Sequence, residues 1–253
     1  MLVSVMLFLS CKKVIQIDFK DTAQQLVIEG NVTNNSSTQT VKITKSVAIT
    51  DASNFPAVSG ATVSISSNGT IYLLKEVSAG SYRTSGLRGQ SGRTYQLNIS
   101  YNGQTYTAIS TMPNQVKLDS LGLETTSVLG KEFNSVTVAY TDPVMETNFY
   151  RFLLTVNNKA SANYFIYNDQ LTNGRPVDRN LRDNDLNLVK GDVASIEMQC
   201  IDQSIYQYWN GLSQNQNRGG ASTTPANPVS NISNGALGYF SAHTVQTVQL
   251  IVK

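Results

Sequence analysis

Histidine occurs once in this chain and cysteine twice, and those two shortages exclude most metal and nucleophile chemistry. A Ser-His-Asp triad would have to use His243, and no Gly-x-Ser-x-Gly elbow is present to hold the serine. His243 therefore reads as a strand or loop histidine beside Tyr239 and Phe240. A histidine-based zinc site is short of ligands for the same reason. The two cysteines are Cys11 and Cys200. With Cys11 committed elsewhere, Cys200 has no partner, so a disulfide framework and a cysteine metal cluster are both excluded. Cys200 reads as a small buried hydrophobe. Charge is also scarce, at 14% of residues, with 19 basic against 17 acidic. There is no basic block and no acidic tail, which excludes nucleic acid as a partner. Glycoside hydrolysis needs two carboxylates about 5 to 9.5 Å apart, and nothing singles out such a pair. Glu146 and Glu197 stand isolated, and salt links or exposure explain them. There are no heptads and no solenoid-length repeats.

What is present begins with an uncharged apolar run, residues 1–10, ending Phe8-Leu9-Ser10 before Cys11. As a helix it would rise about 15 Å, half of a bilayer core of about 30 Å, so it cannot span. It matches the apolar part of a secretory signal ending at a small residue. Ser10 occupies the small site of a bacterial lipobox and Cys11 the acylation site, although Phe8 stands where leucine is commoner. No basic segment precedes the run, which leaves open whether Met1 is the true start. The expectation is a signal peptide at 1–10, lipidation at Cys11 and a tether at 11–25. The acyl chains anchor the chain to a membrane, each buried methylene contributing about 0.8 kcal/mol.

From residue 26 the polar positions are filled by Ser, Thr, Asn and Gln, a composition suited to an exported β-rich protein. Leu26, Ile28 and Val32 share one face of a strand. Val41 and Ile43, then Val63 and Ile65, alternate with polar neighbours. Asn68-Gly69 and Asn102-Gly103 are hairpin turns, because both residues of such turns favour positive φ. Tyr95, Leu97, Ile99 and Tyr101 face one way in the strand between them. This spacing predicts a β-sandwich over 26–113. Residues 114–253 read as a second β-rich domain with one helix, about 203–216. Asp202 is its N-cap, and Ile205, Tyr208, Trp209 and Leu212 form its apolar face.

Three weaker patterns carry less. Asp183, Asp185 and Asn187 alternate as in a calcium loop, but Leu188 and Ala194 stand where glycine and glutamate belong. A solvated turn is the preferred reading, with a looser oxygen-ligand site near Asp178 or Asp192 as the alternative. Residues 86–94 are glycine-rich and basic, yet lack a phosphate-loop ending and read as a flexible connection. Twelve tyrosines, one tryptophan and eight phenylalanines offer rings for a sugar or peptide platform. Recognition favours loops, so the candidate binding residues are Asn173 and Arg175 in segment 168–190. Arg218, Asn227 and Asn231 in the long 217–231 loop join them, together with Tyr239 just beyond.

Several stretches, each weak alone, recur in a family-like order. They are Cys11-Lys12-Lys13-Val14-Ile15, Leu26-Val27-Ile28-Glu29-Gly30, Pro56-Ala57-Val58-Ser59-Gly60-Ala61-Thr62-Val63 and Gly80-Ser81-Tyr82. Next come Gly92-Arg93-Thr94-Tyr95, Thr111-Met112-Pro113 and Tyr206-Gln207-Tyr208-Trp209. Asn227-Pro228-Val229-Ser230-Asn231-Ile232 and Gly235-Ala236-Leu237-Gly238-Tyr239-Phe240-Ser241 close the set. In these the chain resembles the Bacteroidota lipoproteins grouped as domain-of-unknown-function family 4249. The resemblance implies an outer-membrane lipoprotein, often encoded beside a TonB-dependent receptor with a plug and a carboxypeptidase-regulatory-like extension. It supplies no catalytic residues. The acidic cluster that often follows the cysteine in surface-exported lipoproteins is replaced by Lys12-Lys13, which leaves the periplasmic and surface faces both open.

The expected fold is all-β: two β-sandwich-like domains, immunoglobulin-like or carboxypeptidase-regulatory-like, with one α-helix in the second. The expected function is that of a non-enzymatic, lipid-anchored accessory or ligand-binding subunit of a TonB-dependent uptake system, with a glycan or peptide as candidate ligand and no cofactor. The alternatives are a structural or adhesive envelope protein and, last, a glycan hydrolase.

Overall fold

A computed structural model describes residues 24–47, 55–128, 130–216 and 227–253. The expected all-β class holds, with one helix among the described residues. The first strands alternate as their sequences require. β1 (Leu26–Thr33) buries Leu26, Ile28, Gly30 and Val32, and β2 (Gln39–Lys45) buries Gln39, Val41 and Ile43. β3 (Thr62–Ser67) and β4 (Thr70–Ser78) are joined through Asn68 and Gly69, at φ 49° and 77°. β5 (Ser81–Thr84) follows, and then β6 (Thr94–Tyr101) turns into β7 (Gln104–Thr111) through Asn102 and Gly103, at φ 48° and 73°. Both turns are the left-handed two-residue type that suits the twist of a hairpin.

The second part begins with β8 (Leu118–Val128) and β9 (Lys131–Thr141), then β10 (Phe149–Val156), β11 (Lys159–Ala160) and β12 (Phe165–Asn168). β13 (Pro176–Leu181) and β14 (Val193–Ile201) precede α1 (Gln203–Gln216), and β15 (Leu237–Ile251) ends the order. One large sheet runs β11-β10-β14-β15-β1-β2-β5-β4-β3-β6-β7, with β12 also on β10, and a small sheet runs β13-β9-β8. Among the described residues no helix is long and apolar enough to cross a membrane.

β15 joins the two halves. Its residues 237–243 lie parallel to β1, pairing Val27 with Leu237 and Thr33 with His243. Its remainder lies antiparallel to β14, pairing Cys200 with Thr244 and Val193 with Ile251. The first core gathers Ile28, Val41, Ile65, Leu97 and Met112 around Phe240, all fully buried. Ile232, Ala236 and Ala242 belong to it as well, so a core built on 26–113 is completed by residues from the far end of the chain. The second core lies between the small sheet and β10–β14, where Val136, Val138, Tyr150, Phe152, Ile196 and Met198 meet.

A strap closes the first core. The Asn231 Nδ2 group donates to the carbonyls of Phe240 (2.8 Å) and Ile109 (3.3 Å), and its Oδ1 accepts from Phe240 N–H at 2.9 Å. Next to it Ile232 bridges Ala108, and Ser233 N–H donates to the Thr107 carbonyl at 2.8 Å. The connection over 86–94 is held rather than free. Leu87 is buried, Gly89 N–H donates to the Thr33 carbonyl (2.9 Å), and Gly92 N–H donates to the Met112 carbonyl (2.8 Å).

Candidate functional site

The richest concentration of rings and charge lies where α1 covers the outer face of β10, β14 and β15. Side chains two apart on a strand share a face, so Arg151 on β10, Glu197 and Gln199 on β14, and Tyr239, Ser241 and His243 on β15 point the same way. The helix meets them with Ile205 and Trp209, its buried residues. Asp202 caps it as the sequence indicates: its Oδ1 accepts from Ile205 N–H at 3.0 Å. The other carboxylate oxygen accepts a short hydrogen bond from Ser110 on β7, whose hydroxyl oxygen also accepts from Ala242 N–H at 2.8 Å. The cap therefore ties the helix to β7 and β15 of the first sandwich.

Arg151 lies with its guanidinium carbon 3.6 Å from the centroid of Trp209, a cation–π contact. Its Nη1 donates to Gln199 Oε1 at 3.3 Å, and Gln199 Nε2 donates to Glu197 Oε1 at 2.6 Å. Tyr164, Tyr208 and Tyr239 surround the indole at centroid separations of 5.4, 5.3 and 5.1 Å. Burial lowers the Arg151 pKa, an effect opposed by Tyr239 and Glu197, and the ordinary value is high enough that the group stays charged. Burial also pushes the Tyr208 hydroxyl up to about 12 and raises that of Tyr239, which an Asn31 hydrogen bond partly offsets.

His243 is on the same face, 4% exposed, with Nδ1 2.9 Å from the Ser241 hydroxyl oxygen. Burial and then the Arg151 charge bring its pKa down to about 4, so the imidazole is neutral at pH 7. Ser241 is 2% exposed and sits two positions away on the same strand. A serine so enclosed has no path to a substrate carbonyl, and the pair reads as a structural hydrogen bond, in keeping with a strand histidine.

A second buried polar centre was not legible in the sequence. Asp142 accepts a short hydrogen bond from the Tyr150 hydroxyl and one of 3.2 Å from Thr172 Oγ1. Burial raises the Tyr150 pKa, and pushes that of neighbouring Tyr140 up to about 12. Arg179 stacks over Tyr167 at 4.8 Å. Tyrosine on the inward positions of β9 and β10 is the only signal these strands carry, and it does not distinguish a polar centre from ordinary core.

The other sequence candidates are dispersed. Tyr239 is buried in the ring cluster and Asn231 is the strap described above. Asn227 is exposed. Asn173 and Arg175 are exposed in the turn before β13, where the Arg175 carbonyl accepts from Asp142 N–H at 3.0 Å. Segment 168–190 is not all loop, since β13 within it pairs with β9 and buries Val177 and Leu181. Arg218 and Cys11 lie outside the described residues. Asp183 accepts from Ser161 Oγ (2.6 Å) and Asp185 N–H (2.9 Å), the arrangement of a self-capped turn. Among the described residues no three His, Cys, Asp or Glu side chains cluster as metal ligands. Glu146 accepts from Asn114 Nδ2 at 2.7 Å.

The open side of the first sandwich is different in kind. Across β4, β3, β6 and β7 runs the row Ile71–Ser66–Gln96–Ile109, beside a groove of about 420 Å³. Ile71, Leu73, Val77 and Ile109 are 54–68% exposed. Strand pairing brings Ile71 and Ile109 to the two ends of one row, which no local pattern in the sequence indicates.

A family model described as "Domain of unknown function (DUF4249)" matches residues 12–249. No curated protein matches the chain. Among solved structures, one titled "Cytokine receptor complex - Crystal form 1A" aligns over 88% of this chain and 95% of that one, at 9% identity and a TM-score of 0.26. A likeness that low carries no argument about function.

Proposed function

The chain belongs to the DUF4249 family, and from that premise we propose that it is a non-catalytic lipoprotein of a Bacteroidota outer membrane, acting as a docking or ligand-holding subunit of a TonB-dependent uptake system. The observation that carries the docking role is the pair of exposed aliphatic side chains, Ile71 and Ile109, at the two ends of the row along an open groove, with Leu73 and Val77 exposed further along β4. Exposed apolar surface of this kind marks contact sites more often than bare solvent-facing sheet. The partner is a membrane protein because the anchor limits reach. Between an acylated Cys11 and Gln24 an extended chain spans at most about 45 Å, which keeps the start of β1 within that distance of the bilayer. The non-catalytic reading is supported by the use made of the reactive side chains. His243, Ser241, Asp142, Asp183 and Cys200 are all buried, and each makes a hydrogen bond within the framework.

Co-purification in mild detergent tests the proposal. A tagged protein brings down a TonB-dependent receptor, and Ile71→Asp with Ile109→Asp abolishes the capture without changing the melting temperature. A tagged protein that never retains such a receptor counts against it. Normal nutrient uptake with altered adhesion in a deletion strain would favour the envelope-structural alternative. Cys11→Ala is expected to move the protein from the membrane to the soluble fraction and to remove labelling by a fatty-acid probe. Protease shaving of intact cells then separates the periplasmic from the surface face.

A further inference from the structure

A cavity of about 430 Å³ opens at the end of the first sandwich where β1 begins. Its size falls in the range of small-molecule sites, about 300 to 1,000 Å³. Its walls come from four places: the start of β1, the end of β2, the β6–β7 hairpin and the turn before β15. Its chemistry is distinctive. Five carboxamides line it: Gln24, Gln25, Asn102, Gln104 and Asn234. Two phenol rings, Tyr101 and Tyr106, stand among them, and among the described residues Lys45 is the one ionisable group beside the phenols.

We infer that this cavity is a binding site for a neutral saccharide. A carboxamide offers two N–H donors and one carbonyl acceptor without charge. A sugar hydroxyl both donates and accepts, so a ring of amides satisfies it in either orientation. A tyrosine ring presents a flat apolar face to the C–H face of a pyranose and a polar tip to its hydroxyls. Among the described residues no carboxylate lines the cavity to hold an amine or a cation, and a lone lysine is a weak site for a phosphate, which is usually gripped by several donors.

The rim is set in advance. Tyr106 Oη donates to Gln104 Oε1 at 2.8 Å, which holds the amide of Gln104 in one orientation. Gln25 Nε2 donates to the Gly235 carbonyl at 3.1 Å and ties the start of β1 to the opposite turn. Asn102 and Asn234 are exposed residues in left-handed turns, at φ 48° and 59°. The Asn234 turn is braced against β7 by the Ser233–Thr107 hydrogen bonds, 2.8 Å for each backbone N–H. Groups held this way lose little freedom on binding, which favours affinity.

Titration of the purified full chain with maltotriose, cellotriose and mannotriose tests this, read by saturation-transfer NMR and calorimetry. At least one binds. Gln104→Ala combined with Asn234→Gly weakens it roughly tenfold or more, as expected from the loss of two hydrogen bonds. Asn234→Gly keeps the left-handed turn, and an unchanged melting temperature for the pair verifies the fold. Tyr101→Leu retains the apolar packing of that residue against the core and also weakens binding. The inference is overturned if none of the three sugars binds, if binding survives these substitutions, or if triglycine or inorganic phosphate competes equally well. It does not depend on the uptake role, since a Cys11→Ala chain released from the membrane binds the same sugar.

Discussion

Gly238 shows how much one residue carries. It has φ 94°, and a Cβ there would lie 2.0 Å from the Ile28 carbonyl oxygen. It sits where β15 comes alongside β1, so neither the backbone nor the neighbour has room to give. Gly238→Ala is expected to cost roughly 3 kcal/mol or more, combining a forbidden conformation with a main-chain clash. Denaturant titration checks it, and a change below about 1 kcal/mol would contradict the packing described. His243 gives a second residue-scale outcome, in pH. Its folded pKa, about 4, lies below the usual value of about 6.5. The unfolded chain therefore binds the proton first as pH falls. The stability associated with a neutral His243 is complete above about pH 6.5 and is lost progressively down to about pH 4, by roughly 3 kcal/mol. A His243→Gln chain should show a flatter stability profile between those limits. His243 was readable only as a strand or loop residue beside Tyr239 and Phe240. Its depth was not, since burial depends on what packs above it.

At the scale of elements, α1 was the most legible. Asp202 as cap and Ile205, Tyr208, Trp209 and Leu212 on one face are local signals, and the helix forms where they place it. The docking of that helix is a tertiary matter, decided by Arg151 under the indole and by the Ser110–Asp202 link. Asp202→Ala is expected to cost about 1 to 2 kcal/mol through the lost cap, with a further loss from the Ser110 O–H left without its acceptor. Arg151→Met keeps the stem volume and removes the cation–π contact, for about 1 kcal/mol. Trp209 is the one tryptophan in the chain, so its emission reports on this site without a label. Both substitutions should shift that emission as the melting temperature falls. β13 was the least legible element. Its residues, PVDRNL, are half polar and begin with proline. It exists because β9 offers it an edge, and the buried Val177 and Leu181 are the only apolar signal it gives.

At the scale of the molecule, the first sandwich depends on the last residues of the chain. Residues 227–253 supply Ile232, Ala236, Phe240 and Ala242 to its core, the Asn231 strap to its seam, and a strand between β1 and β14. A chain ending at 226 is expected to lose cooperative unfolding and near-ultraviolet dichroism and to bind a hydrophobic dye. A sharp melting transition in that truncated chain would refute the dependence. Alternation, Asn-Gly turns, the capped helix and the shortage of histidine and cysteine are properties of neighbours in sequence. Most of the strands, the hairpins, the helix and the all-β class therefore followed from the sequence alone. The route of β15 did not. Over residues 238–245 both its faces are covered, so the in-and-out alternation that marks a half-buried strand is missing. Its pairing with β1 joins residues about 210 positions apart. Such contacts leave no periodic trace in the sequence, because they depend on shape and hydrogen-bond register formed only when the chain has closed. The same closure turned Tyr239 and Asn231 from loop candidates into framework. It also brought Gln24, Asn102 and Asn234 to one cavity, which no local pattern could indicate.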